Sequence, residues 1–248
     1  MKTKILSSIR CVCFIVKKEI CLLLKQPVFY IAAAVTTASC ALYFFVVGQF
    51  FVYGAGSSDL RFFFVTIPYI SILVIPVLTM GQWEQNSLFF DQTLPISDGQ
   101  LVFSKWFSSF LLSLLLLFPG VSIPITVSFF GNIDIAQFIT GYGGIFCFMA
   151  ASCALGVFFS ALCGGKVASF LVTSLVLAVC CLCHLVPLYV NLPTWLSSLC
   201  RGLSFAWHFD AAGKGILDTR DIGFYGIITV TSLVLTTEFL RIKKRGCL

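Results

Sequence analysis

The chain has 248 residues, 59% hydrophobic and only 10% charged, with a mean hydropathy of +1.02. That leaves too little polar surface to coat a soluble globule, so lipid must cover most of the molecule. The net charge of +6 reads as cations flanking apolar runs and meeting anionic lipid, not as a nucleic-acid surface.

Taken in chain order, Met1 to Pro27 is too interrupted by charge to be a signal peptide or a span. Ile5, Ile9, Val12, Val16, Ile20 and Leu23 recur at helical spacing, and Arg10, Lys17 and Lys25 project largely away from them. The pattern predicts an amphipathic interfacial helix over 1–27, broken by Pro27. Six apolar runs follow, at about 28–52, 62–81, 106–130, 138–163, 167–190 and 222–240. Each is long enough for a helix to cross a hydrocarbon core of about 30 Å with its backbone paired internally. Little lies outside them, so 28–240 reads as one six-helix transmembrane domain and 241–248 as a basic tail. The expected fold class is an all-α, multi-pass integral membrane protein.

Charge sets the expected orientation. With the N-terminus inside, twelve of the sixteen Lys and Arg residues fall on the cytoplasmic side, leaving only Arg61, Arg201, Lys214 and Arg220 outside. Both termini should therefore be cytoplasmic. Lys105 and Glu238 sit near cytoplasmic span ends, where they are expected to snorkel. Pro68 and Pro76 should kink the second span, and Pro119 and Pro124 the third. In the fourth, Gly141, Gly143, Gly144, Ala150, Ala151, Ala154 and Gly156 read as a packing seam.

Two polar connections stand out. In Gln82 to Gln100, Asn86 or Ser87 can cap a brief helix through Leu88, Phe89 and Phe90, and Pro95 closes it. Ser97 and Gln100 have capping-box spacing for the start of the third span. Phe89 and Phe90 need a surface to bury them, either the chain's own spans or a partner. In Asn191 to Asp221, Asp218 is a good N-cap for the last span, and Asp221 puts a favourable negative charge in its first turn. Pro193, Trp195, Leu196, Leu199 and Trp207 place part of this connection in the outer interface.

Reacting groups are scarce. The spans hold no paired carboxylates and no H-E-x-x-H or G-x-S-x-G motif, and neither Gly165-Lys166-Val167 nor Gly213-Lys214-Gly215 belongs to a Walker A loop. Cys180, Cys181, Cys183 and His184 lie in an apolar run without paired ligand spacing, so packing is favoured over metal binding. His208, Asp210, Lys214, Asp218, Arg220 and Asp221 share one outer connection and read as solvated loop and helix caps.

Four stretches resemble one known family. Lys18-Glu19 followed by Pro27, Phe29 and Tyr30 is similar to an amphipathic entry into a first span; Leu88 to Lys105, with Leu94-Pro95-Ile96-Ser97-Asp98, resembles a cytoplasmic coupling segment. Gly141-Tyr142, Gly144, Gly156, Phe159-Ser160 and Leu162 resemble the family's fourth span, and Gly215 to Asp221 with Phe224-Tyr225 its outer-loop ending. The family is the type-2 ABC exporter permeases, in particular the gliding-motility (GldF-like) branch. Where that family has paired acids and Gly-Thr before the coupling segment, this chain has Glu84 displaced and Asn86-Ser87.

The resemblance implies a permease of a bacterial cytoplasmic (inner) membrane that is not itself an enzyme and binds no cofactor. Its implied partners are a cytoplasmic ABC ATPase subunit carrying ATP and Mg, a second permease copy or paralogue, an optional membrane-anchored auxiliary subunit, and membrane lipids, with no nucleic acid. Glu84, Asn86, Ser87, Leu88, Phe89, Phe90, Leu94, Pro95 and Asp98 form the implied ATPase-coupling segment, and Gly215, Asp218, Arg220 and Asp221 the outer-loop motif. Two other readings stay open: a lipid-modifying enzyme using 191–221, and a non-transporting subunit of an ATPase-driven signalling complex.

Overall fold

The computed structural model describes residues 2–47, 60–83, 97–130, 134–190 and 193–246. Among these residues every regular element is helical. Helix α1 (Lys2–Leu24) is followed by α2 (Pro27–Leu42), which starts on a proline whose fixed φ and missing N–H suit a first helical position. A π-helical turn, Tyr43–Val47, extends α2, and α3 spans Arg61–Thr79. Ahead of α4 (Asp98–Leu117), Ser97 N donates to Gln100 Oε1 at 3.3 Å, as the capping-box spacing predicts. A 3-10 turn, Phe118–Val121, leads into α5 (Ser122–Phe130).

Asp134 caps α6 (Ile135–Cys163) by accepting from Ala136 N at 2.9 Å, and Gly164, with φ of 65°, ends it. Next come α7 (Lys166–Leu182), a 3-10 turn at Cys183–Leu185 and the short α8 (Val186–Tyr189). Helices α9 (Thr194–Leu203) and α10 (Phe205–Gly213) precede the last helix, α11 (Thr219–Gly246).

Six of these stretches are long and apolar enough to cross a membrane: Pro27–Val47, Arg61–Thr79, Asp98–Phe129, Ile135–Cys163, Lys166–Tyr189 and Thr219–Arg245. This is the architecture of a multi-pass membrane protein, with a helical stretch at each of the six expected spans. The third begins at Asp98 and not near 106, because the capping box starts the helix before its apolar run does. Contacts between distant segments sort the helix ends. Lys105 with Glu19 and Lys244 with Asp98 share one end, the termini end; Arg61 with Asp210 and Gln137 with Gly213 share the other, the loop end.

Helices α3 and α6 form the centre and are mostly buried, whereas α2, α7 and α11 leave most of their surface outward. Lipid tails are as apolar as leucine, so close van der Waals packing must hold this centre together. The small residues of α6 supply it. A Cβ on Gly141 would lie 2.3 Å from Phe64 Cζ, one on Gly144 2.6 Å from Ala212 Cβ, and one on Gly156 2.7 Å from Thr79 Oγ1. The expected seam is thus a set of specific close approaches to α3 and α10.

One sequence expectation needs correction, that for Lys105. Pro119 sits where α4 gives way to the 3-10 turn, and α3 carries Pro68 and Pro76 inside its helix; Ser71 Oγ (2.7 Å) and Cys181 Sγ (3.7 Å) both donate to Pro68 O. Ile15 is fully buried against Trp83, Leu101, Val102, Val157 and Leu240, with Val12, Val16, Ile20 and Leu23 half-buried beside it, while Phe14 and Leu22 are exposed. Lys105 does not snorkel: it is fully buried because α1 brings it a carboxylate.

Candidate functional site

At the termini end, polar groups converge on Lys105 from three elements. On α4, Lys105 lies one turn before Ser109 and faces α1, so its ammonium meets Glu19 Oε1 at 3.2 Å. It also donates to Gln82 O at 2.6 Å and lies 5.0 Å from the centre of the Trp83 ring. Gln82 returns the contact, its Nε2 donating to Lys105 O at 3.3 Å and to Ser109 Oγ, and Trp83 Nε1 donates to Val157 O at 3.1 Å. The pair is sealed, with side-chain exposures of 0% for Lys105 and 8% for Glu19. A buried charge is tolerated only when paired and hydrogen-bonded, and both conditions hold here. Asp98, at the start of α4, bonds Lys244 near the end of α11.

Of the implied coupling residues, Glu84, Asn86, Ser87, Leu88, Phe89, Phe90, Leu94 and Pro95 lie outside the described residues. Asp98 is described, as are Trp83 and Ser97, the flanks of 84–96. Those flanks are fixed. Gln82 and Trp83 are buried, and Ser97 and Asp98 open a helix tied to α11 by Lys244.

At the loop end, Gly215 has φ of 90°, a backbone state that favours glycine. The reason is a Schellman ending to α10: Ile216 N donates to Ala211 O and Gly215 N to Ala212 O, both at 3.1 Å. Asp218 Oδ1 then accepts from Arg220 N at 3.0 Å, capping α11 as predicted. Asp221 sits in the first turn but bonds sideways, to His208 Nδ1 at 2.6 Å.

His208 Nε2 lies 3.0 Å from Gly202 O, and its ring stacks on Phe224 at 4.2 Å between centres. Each ring nitrogen thus lies within hydrogen-bond distance of an oxygen. Asp210 pairs with Arg61 at 3.3 Å and with Lys214 one turn on. Lys214, Asp218 and Arg220 are exposed, whereas His208 and Asp221 keep only 12% and 19% of their side-chain surface exposed and link α9, α10 and α11.

Sequence reasoning missed Gln137. Its Oε1 accepts from Leu60 N at 3.3 Å and its Nε2 donates to Gly213 O at 2.9 Å, joining the starts of α3 and α6 to the end of α10. A glutamine in an apolar run was the available signal, since such a side chain must find partners. The Cys180 to His184 cluster resolves into separate contacts: His184 Nδ1 lies 2.8 Å from Cys181 O and 3.0 Å from Ser204 Oγ. Among the described residues every cysteine is free, and no three His, Cys, Asp or Glu side chains are placed to share a metal ion.

No protein-family model matches the chain, and no curated protein matches it.

Proposed function

We propose that the chain is the membrane-spanning permease subunit of an ATP-binding-cassette exporter in a bacterial cytoplasmic membrane. It forms the translocation path with a second permease copy or paralogue and draws its energy from separate cytoplasmic ATPase subunits. The termini end carries twelve of the sixteen cations and is the cytoplasmic face on this reading.

The observation that supports it best is the bonding around residues 84–96. Their flanks connect directly to α1 through Lys105 and Glu19, and to α11 through Asp98 and Lys244. A load applied to that connection therefore reaches three helices through ion pairs and a buried tryptophan, without passing through lipid. Packed side chains and ion-pair networks of this kind can carry energetic coupling between sites. In this scheme Leu88, Phe89, Phe90, Leu94 and Pro95 are the apolar anchors for an ATPase, with Glu84 and Asp98 at the polar rim; buried aromatic anchors dominate interfaces of this sort.

Phe89→Ala combined with Phe90→Ala is expected to leave membrane insertion intact while at least about tenfold less transport accompanies each round of ATP hydrolysis. ATPase rate and substrate export, read side by side in reconstituted vesicles, test it. Unchanged coupling in the double variant removes the docking assignment.

A further inference from the structure

We infer that the loop end binds the phosphodiester headgroup of a phospholipid from the adjacent leaflet. A cavity of about 420 Å³ opens between α9, α10 and α11, with Ser198, Arg201, Trp207, His208, Asp218 and Arg220 on its wall. That volume falls in the small-ligand range of about 300 to 1,000 Å³. Among the described residues neither Arg201 nor Arg220 has a carboxylate within ion-pair distance. The acids of the wall are already engaged: Asp221 holds His208, and Asp218 Oδ1 caps α11. Two guanidinium groups thus face one cavity, and Arg201 is held 5.2 Å from the centre of the Trp207 ring. Guanidinium forks match phosphate oxygens in geometry and charge.

A second, independent feature places this cavity at lipid. Trp195, Leu199 and Leu203 repeat every fourth residue on α9 and are 64%, 60% and 56% exposed, forming one apolar stripe. A stripe led by tryptophan suits the headgroup and acyl boundary, so chains resting on α9 would bring a headgroup to the arginines behind it. Asp218 selects among anions. Its charge at the rim disfavours a dianionic phosphomonoester and leaves the singly charged phosphodiester as the better fit. The inference stands on the loop end alone and is independent of the exporter assignment.

Native mass spectrometry of the full chain in mild detergent tests it, with phosphatidylglycerol and diacylglycerol of matched chains as probes. The wild type should retain phosphatidylglycerol, and Arg201→Ala with Arg220→Ala should lower that retention about tenfold or more, with diacylglycerol retention unchanged. Should the double variant misfold, Arg220→Gln alone gives the same comparison with a smaller loss. Equal retention by variant and wild type overturns the inference. Displacement of the lipid by millimolar inorganic phosphate does so as well, because it marks a free-anion site.

Discussion

Replacing Lys105 with methionine is expected to destabilise the protein by about 3 to 5 kcal/mol, the usual cost of stranding a buried charge. Methionine fills much the same volume, so the loss comes from Glu19, which would keep 8% of its surface and lose its counter-ion. Gln82 O would lose its 2.6 Å donor and the Trp83 ring its cation. Glu19→Leu combined with Lys105→Met should recover most of that stability, because a buried ion pair as a whole contributes far less than either charge left alone costs. The four species form a double-mutant cycle, read by thermal or SDS-driven unfolding in detergent. A lone Lys105→Met variant as stable as the parent would mean that the two groups do not depend on each other.

The second large effect belongs to the centre of the bundle. Gly141→Ala should cost about 3 kcal/mol, the upper part of the range for overpacking. Its new Cβ would come within 2.3 to 2.6 Å of three carbons of the Phe64 ring. That ring cannot swing aside. It is fully buried, edge-on to Phe63 at 5.3 Å and to Tyr142 at 5.7 Å. Phe64→Leu in the same chain should restore part of the loss by making room. Gly143→Ala, whose Cβ would meet only Leu217 Cδ1 at 3.0 Å, should shift stability by about 0.5 kcal/mol, since Leu217 is exposed and can turn away. Equal effects at the two glycines would contradict the seam as described.

What could be read from the sequence was local. A run of some twenty apolar residues announces a span wherever it packs, and all six runs became helices. Ser97 with Gln100, and Asp218 with Arg220, interact across two or three residues, so their spacing alone exposed them. The partners that define the polar ends are remote. Glu19 is 86 residues from Lys105, and Gln137 is 77 from Leu60 and 76 from Gly213. No periodicity encodes such pairings. Lys105 near a span end satisfied the snorkelling rule, and only the position of α1 shows that its charge is answered inside the protein. His208 and Asp221 are 13 residues apart, with the Schellman turn at Gly215 between them. Both the turn and the pair it brings together became visible only in the structure.

The most direct test of the exporter assignment is copurification. The tagged chain would be extracted in mild detergent from cells that express it naturally, its partners identified by mass spectrometry and ATPase activity assayed on the complex. Recovery of a Walker-motif ATPase, with activity that disappears from the eluate when Phe89 and Phe90 are both alanine, is the predicted result. A well-folded chain recovered alone, with no associated ATPase activity, would contradict it.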